Sequence, residues 1–368
     1  MKLDFIDYLF ESTIDASNPR IPHPEDSIFV GSAESQRTVD DIAAIIRDPR
    51  GITIKWDGGI ALYFGHTADG RFFVSDKYMY PKGIYATSPE QWVEYDHNKK
   101  NGKIRTDLPA KLTMIWQGLK ESVGETPGVF MGDLMHTGKL PLVNGNFVFK
   151  PTTVTYSIPE NSPMGKLVRG KSGIMVVHKY NDRPWDGVTG LTNNSNVAII
   201  SPTAGNSFVL NEPTNLLNAA YAAISSYGSL ADEFRTGVGT KSAMGTLKTF
   251  FNKKITGQQI NGEPIDSVAQ YLTHYPAQHK KLIGDGETGY IPQHMAGYEA
   301  LIAIWNAIYA LKVNLVQQLN AQVQGFGQTI DGKAGGEGFV FPTSTGLSKL
   351  VIRDATGFGG THFNKNPS

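Results

Sequence analysis

Two different periodicities run through this chain, and together they limit what it can fold into. Between residues 51 and 180 the apolar residues come in short runs bounded by turn residues: Ile52–Trp56, Ile60–Phe64 and Arg71–Ser75, with Asp69-Gly70 between the last two, then Val129–Met135, Asn146–Thr155 and Ser172–Tyr180. Runs of this length and punctuation predict strands. One helix is expected among them, over Pro109–Val123, where Leu112, Ile115, Trp116 and Leu119 fall at helical spacing. From about residue 210 to 325 the pattern is helical instead. Leu301, Ile304, Trp305, Ile308, Leu311, Leu315 and Leu319 recur every three or four residues, as one buried helix requires. Gly325 to Gly336 is rich in glycine and poor in apolar residues, which predicts a loop. Strand character returns at Gly338–Phe341 and Lys349–Ile352. Before all this, residues 1–50 predict a short helix, a Pro-rich loop from Pro19 to Pro24, a strand at Ile28-Phe29-Val30 and a helix near Val39–Ile46. The expectation is an α+β fold. Its β-rich domain spans 1–205 and 329–368 and is interrupted by a helical insert over 206–328.

Composition removes several classes of function. At 368 residues, 40% apolar and 18% charged, the chain can bury a large core and is expected to be a soluble globular protein. The absence of cysteine excludes disulfides, thiolate metal sites and cysteine nucleophiles, and suits a cytoplasmic location. Met1-Lys2-Leu3-Asp4-Phe5-Ile6-Asp7 is too acidic for a signal peptide, and no apolar run is expected to be long enough to span a membrane. Lys+Arg equals Asp+Glu at 34 each, so a polyanion would have to be held by a local patch. No His, Asp or Glu cluster has zinc spacing, and His136 and His178 read as structural histidines. A monomer is expected.

The segment most suggestive of chemistry is Lys55-Trp56-Asp57-Gly58-Gly59, set between the runs Ile52-Thr53-Ile54 and Ile60–Phe64. A lysine held between strands, with an acid behind it, suits a covalent nucleophile, because burial and neighbouring cations can leave an amine free to attack. The glycines allow a phosphorylated group close to the backbone. A plain hairpin turn explains Asp57-Gly58 equally well. The nucleophile is favoured by residues further along the chain. Lys77, Asp133, Glu337, Lys349 and Arg353 each sit at the edge of an apolar strand. One nucleophile, two separated acids and several cations are what nucleotidyl transfer needs: cations against phosphate oxygens, and carboxylates for Mg²⁺ or ribose.

In order and local sequence these segments resemble the covalent nucleotidyltransferase superfamily of ATP-dependent DNA ligases, RNA ligases and capping enzymes. Lys55-Trp56-Asp57-Gly58 is similar to its motif I. Gly132-Asp133-Leu134-Met135 is similar to motif III, Ile174–Tyr180 to motif IIIa, Glu337-Gly338-Phe339-Val340 to motif IV, and Lys349 to the first lysine of motif V. Phage RNA ligases are closest, and a tailed-phage family carrying K-W-D-G is also similar. The chain departs from the pattern in three places. Ile60 stands where DNA ligases commonly have arginine, Asp133 replaces the usual glutamate, and Val351 stands where a second motif V lysine is usual, with Arg353 as its substitute. The short stretch after Arg353 is expected to leave no room for the C-terminal OB domain of DNA ligases, an expectation that again favours RNA ligases.

The resemblance implies an adenylation domain of antiparallel sheets with helices, using ATP and Mg²⁺. It implies Lys55 as nucleophile, Asp57 as its orienting acid, and Asp133 and Glu337 on ribose or Mg²⁺. Gly58, Lys77, Lys349 and Arg353 would bind nucleotide. The implied activity is ATP-dependent polynucleotide ligation with nucleic acid as partner, RNA before DNA, in a host cytoplasm if the chain is phage-encoded, and in repair of nucleic acid. The alternatives are adenylylation of a protein or small molecule, and a non-catalytic nucleotide-binding or virion-associated protein. Within the helical stretch, Lys248, Lys253, Lys254, Lys280 and Lys281, interleaved with Phe250, Phe251, Tyr271 and Tyr275, form a candidate phosphate-tracking surface. A solvated helical face explains them as well.

Overall fold

The computed structural model describes residues 21–99, 107–201 except 182, 186 and 188, 208–238, 289–323 and 327–353 except 331 and 335, with short pieces at 244–245, 247–248, 259–260 and 263–264. It is an α+β protein divided into two compact units. One comprises Met1–Thr53, Ser207–Gln322 and Gly338–Ser368, the other Ile54–Asn206 and Val323–Glu337.

The second unit holds two sheets. After the short strand β1 (Thr53–Lys55) come β2 (Ile60–His66), β3 (Phe72–Asp76) and β4 (Val129–Thr137). Then follow β5 (Leu142–Val143), β6 (Asn146–Phe149), β7 (Val154–Pro159), β8 (Gly173–Tyr180), β9 (Arg183–Pro184) and β10 (Val197–Ile200). The larger sheet runs β10-β8-β4-β2-β3 with β9 beside β8; its pairings are antiparallel except β10 with β8. The second sheet runs β14-β13-β7-β6-β5, where β13 is Gly327–Ile330 and β14 is Lys333–Ala334. The glycine-rich segment expected as a loop therefore supplies two strands. Periodicity missed them because ladder hydrogen bonds to β7, not apolar side chains, hold β13 in place. Likewise the single run expected over Asn146–Thr155 is two strands, β6 and the start of β7, paired with each other.

One face of the larger sheet is apolar. Leu62, Phe64, Phe72, Val74, Phe130, Leu134, Met175 and Val177 form a core with Leu112, Ile115, Trp116 and Leu119. The latter four lie on one side of helix α3 (Leu108–Val123), which follows α2 (Pro89–Lys99). Because strand side chains alternate, Tyr63, Phe73, Met131 and Asp133 must point to the opposite face. A further short helix, α4 (Pro163–Val168), connects β7 to β8.

The first unit holds α1 (Ser32–Arg47), α5 (Thr214–Val238), the short α6 (Tyr290–Gln293), α7 (Met295–Asn320) and a hairpin of β15 (Gly338–Thr343) and β16 (Gly346–Leu350). A two-residue hairpin, β11 (Gln259–Ile260) with β12 (Glu263–Pro264), also forms. The helical stretch is thus grouped with residues before 54 and after 337. Helix α7 buries residues all round, including Leu301, Ile304, Trp305, Ile308, Leu311 and Leu315, so it needs cover on more than one side. It packs on α5 and on a 3₁₀ turn at Pro24–Phe29. That turn corrects the strand expected at Ile28–Val30: Ile28 and Phe29 are buried, and the turn packs against helices α1 and α7. Helix α7 also corrects the expectation about membrane-length runs. By length and composition it could cross a membrane, although half of its most apolar window is buried inside the protein and it carries Lys312, paired with Glu25.

Candidate functional site

The second unit gathers Lys55, Asp57, Asp133 and Glu337 into one charged neighbourhood. The Lys55 ammonium donates to Glu337 Oε1, joining residues 282 positions apart in sequence. Glu337 is 7% exposed, and its other oxygen, Oε2, has no hydrogen-bond partner among the described residues. Asp57 lies on the turn after β1. Its backbone N–H donates to the Tyr156 hydroxyl at 2.7 Å, and its carboxylate accepts from the Thr152 hydroxyl. Tyr156 stacks on Trp56 at 4.9 Å and on Phe149 at 5.4 Å, so the second sheet clamps the segment that carries the lysine.

Electrostatics sets Asp57 apart. Its carboxyl is raised to about 7, first by burial, then by the Glu337 carboxylate, and further by Asp133; Lys55 and the Thr153 backbone N–H act the other way. Burial also pushes the Tyr156 phenol above its usual value, leaving it a neutral hydroxyl.

Gly58 explains how Asp133 comes so near. A Cβ built at Gly58 would lie 2.3 Å from Asp133 Cβ, so the turn and strand β4 can approach only if position 58 has no side chain. We expect Gly58→Ala to destabilise the protein by about 1–3 kcal/mol, the usual cost of overpacking. An unchanged urea midpoint would show that the turn can move away at no cost.

Asp133 is held from its other side by His178, whose Nε2 lies 3.1 Å from Asp133 Oδ2. With Asp133 ionised, Nε2 carries the proton. This histidine was expected to be structural, and nothing in the sequence separates it from His136. Its placement depends on a β-bulge: Met131 pairs with Lys179 and Gly132 with Val177, leaving His178 as the extra residue. Tyr156 and Thr152 were missed in the same way, since each reaches the site from a separate strand or bend.

Lys77 is exposed at the end of β3, with its ammonium 5.1 Å from the Tyr78 ring centre. Lys349 lies on β16 of the first unit, opposite Val340. Arg353, expected to hold phosphate, is 5% exposed and bound within the first unit, its Nη2 donating to Glu25 Oε1 at 2.5 Å and to Asp26 Oδ1 at 2.7 Å. Such a guanidinium already has two anions beside it. Lys248 pairs with Asp26 at 3.0 Å, which ties it to the same cluster and not to an open phosphate-tracking face. Lys253, Lys254, Lys280 and Lys281 lie outside the described residues.

Among the described residues no three acids or histidines converge closely enough to enclose a metal ion. The site offers single carboxylate oxygens instead, on Asp133 and on the unpartnered Glu337 Oε2.

Comparison with known families matches residues 18–366 to one described as a family of unknown function, DUF6267. The chain belongs to that family. No curated protein matches it, and no solved structure does. Membership in DUF6267 therefore covers nearly the whole chain but brings no activity with it, and a functional reading has to be argued from the site itself.

Proposed function

We infer that this protein is a nucleotidyltransferase that carries AMP on Lys55 and passes it to the 5′-phosphate of a polynucleotide, RNA before DNA, as a ligase does. The observation that carries the reading is the ion pair between Lys55 and Glu337, with Asp133 packed against Gly58. Three segments far apart in the sequence, each selected for its likeness to a nucleotidyltransferase motif, have their charged groups in one place. The α+β architecture with two largely antiparallel sheets is compatible with an adenylation domain.

The residues supply each step. The Lys55 amine attacks the α-phosphorus of ATP; a P–N bond forms, the bond to pyrophosphate breaks, and the amine proton passes to the carboxylates beside it. Glu337 and Asp57 hold the lysine in line with that phosphorus, where positioning supplies much of the rate. A 5′-phosphate then displaces the lysine and takes the AMP. A 3′-hydroxyl attacks the adenylated phosphate, and AMP leaves. Bound Mg²⁺ would neutralise charge on the phosphates. Asp133, fixed by His178, and Glu337 are the groups placed to hold it or the ribose.

The test is incubation with α-labelled ATP and Mg²⁺, then denaturing electrophoresis. A labelled protein band that disappears in Lys55→Ala is the expected result. No band from a folded, nucleotide-free protein with any nucleotide or divalent metal would sink the reading. A non-catalytic nucleotide-binding role would then be favoured, because the sequestered Arg353 already leaves the phosphate clamp short of one cation.

A further inference from the structure

Three hydroxyl-bearing residues touch Asp57, and they differ in what they offer. The Tyr156 hydroxyl accepts from the Asp57 backbone N–H, and Tyr156 is fully enclosed. Thr153 reaches Asp57 through its own backbone N–H, while its hydroxyl is buried. Thr152 is exposed, and its hydroxyl donates directly to the Asp57 carboxylate. Holding Asp57 in place asks only for a donor, and the Thr153 N–H is already one. An exposed hydroxyl aimed at a carboxylate is, in addition, the arrangement of a nucleophile with its base.

The bend that carries Thr152 joins β6 to β7 and lies against the turn after β1. A Cβ built at Gly59 would stand 3.5 Å from the Pro151 carbonyl oxygen, an ordinary contact distance. Lys55 and Asp57 are two residues apart on the same segment, and the Lys55 charge is among those that act on the Asp57 carboxyl. Asp57 is also the right strength. A carboxylate of ordinary value is a weak base toward an alcohol. Asp57, raised to about 7 first by burial, is a stronger one and still ionises close to neutral pH.

We propose that Thr152 is a second, intramolecular acceptor: AMP carried on Lys55 passes to the Thr152 hydroxyl, so that the protein adenylylates itself. The inference rests on the nucleotidyltransferase reading for its first step, the loading of Lys55. In the second step Thr152 Oγ attacks the phosphorus of the lysyl-AMP. An O–P bond forms, and the P–N bond to Lys55 breaks. The hydroxyl proton passes to Asp57 and from there to the departing Lys55 amine, so no further reactant is needed. The product leaves a bulky anion beside Asp57, and the modification limits further turnover.

The full chain, incubated with α-labelled ATP and Mg²⁺ without oligonucleotide and then treated with mild acid, tests the proposal. Acid frees AMP from lysine, where the bond is P–N, and leaves it on threonine, where the bond is an ester. The expected result is acid-stable label that peptide mapping by mass spectrometry places on Thr152. It should be lost in Thr152→Val and in Lys55→Ala and persist in Thr152→Ser. Thr152 is exposed, so valine there leaves the core intact, which thermal unfolding of the variant verifies. Label that is wholly acid-labile, or acid-stable label that maps to another residue, overturns the proposal and leaves the transferase standing. Acid-stable label on Thr152 that survives Lys55→Ala overturns the relay, and the lysyl-AMP reading with it. No label of either kind removes both.

Discussion

An Arg353→Met chain should unfold about 3–5 kcal/mol more readily than the unaltered protein. Arg353 is the hub of a buried ion cluster. It donates from Nε and Nη2 to Glu25 at 3.0 and 2.5 Å, and from Nη1 and Nη2 to Asp26 at 3.3 and 2.7 Å. Glu25 also receives Lys312, and both of those side chains are fully buried. Methionine would fill the space but leave two carboxylates short of their main cation, and an uncompensated buried charge costs more than the intact pair ever contributed. The cluster also predicts an acid response. Asp26 is held well below the usual carboxylate range: Arg353 and Lys248 outweigh the opposing effect of burial. A depressed carboxylate contributes stability above its unfolded value of about 3.8, and that contribution is lost as pH falls below it. The unaltered protein should therefore lose stability steeply below about pH 4, and Arg353→Met less so. If urea midpoints are equal and only nucleotide binding falls, Arg353 contacts phosphate after all.

Asp57→Asn should make the protein more stable at pH 8 and leave it nearly unchanged at about pH 3. The folded carboxyl titrates at about 7 against 3.8 when free. Below the lower value both states hold the proton. Between the two, the folded state holds a proton that the unfolded state lacks, so stability falls as pH rises, and above the upper value the loss is complete. At about 1.36 kcal/mol per unit, the loss is at most about 4 kcal/mol. Asparagine keeps the shape, can still accept from Thr152, and does not titrate. Chemical denaturation at the two pH values measures the difference. Equal stabilities at pH 8 would mean that neighbouring groups fully compensate the charge. The same substitution should slow labelling of Lys55, in keeping with a strained, costly carboxylate retained for function.

Much of the fold was legible in the sequence. Short apolar runs bounded by turn residues marked β2, β3, β4 and β8, and three-to-four spacing marked α3 and α7, because local pattern is enough to reveal such segments. The failures share a cause. Ile28-Phe29-Val30 is apolar and short, which reads as strand or turn until its neighbours are known. Strands β13 and β14 carry few apolar side chains and exist through their backbone partners. In the site, Lys55 and Asp57 stood out because a lysine, an acid and glycines are adjacent there. His178 did not, because its meeting with Asp133 depends on one extra residue in β8.

The sequence by itself determined the α+β class, the places of its main strands and helices, and the chemical types available for a site: a lysine, several carboxylates and no thiol. Only the tertiary structure decided which of those groups meet. Lys55 reaches Glu337 across most of the chain, and Gly58 admits Asp133. Arg353, which looked like a phosphate ligand, is instead enclosed with Glu25 and Asp26. The physical reason is range. Periodicity and turn chemistry act over a few residues and are written in local order. Charge pairing, desolvation and close backbone approach act through space, between residues that the sequence keeps far apart.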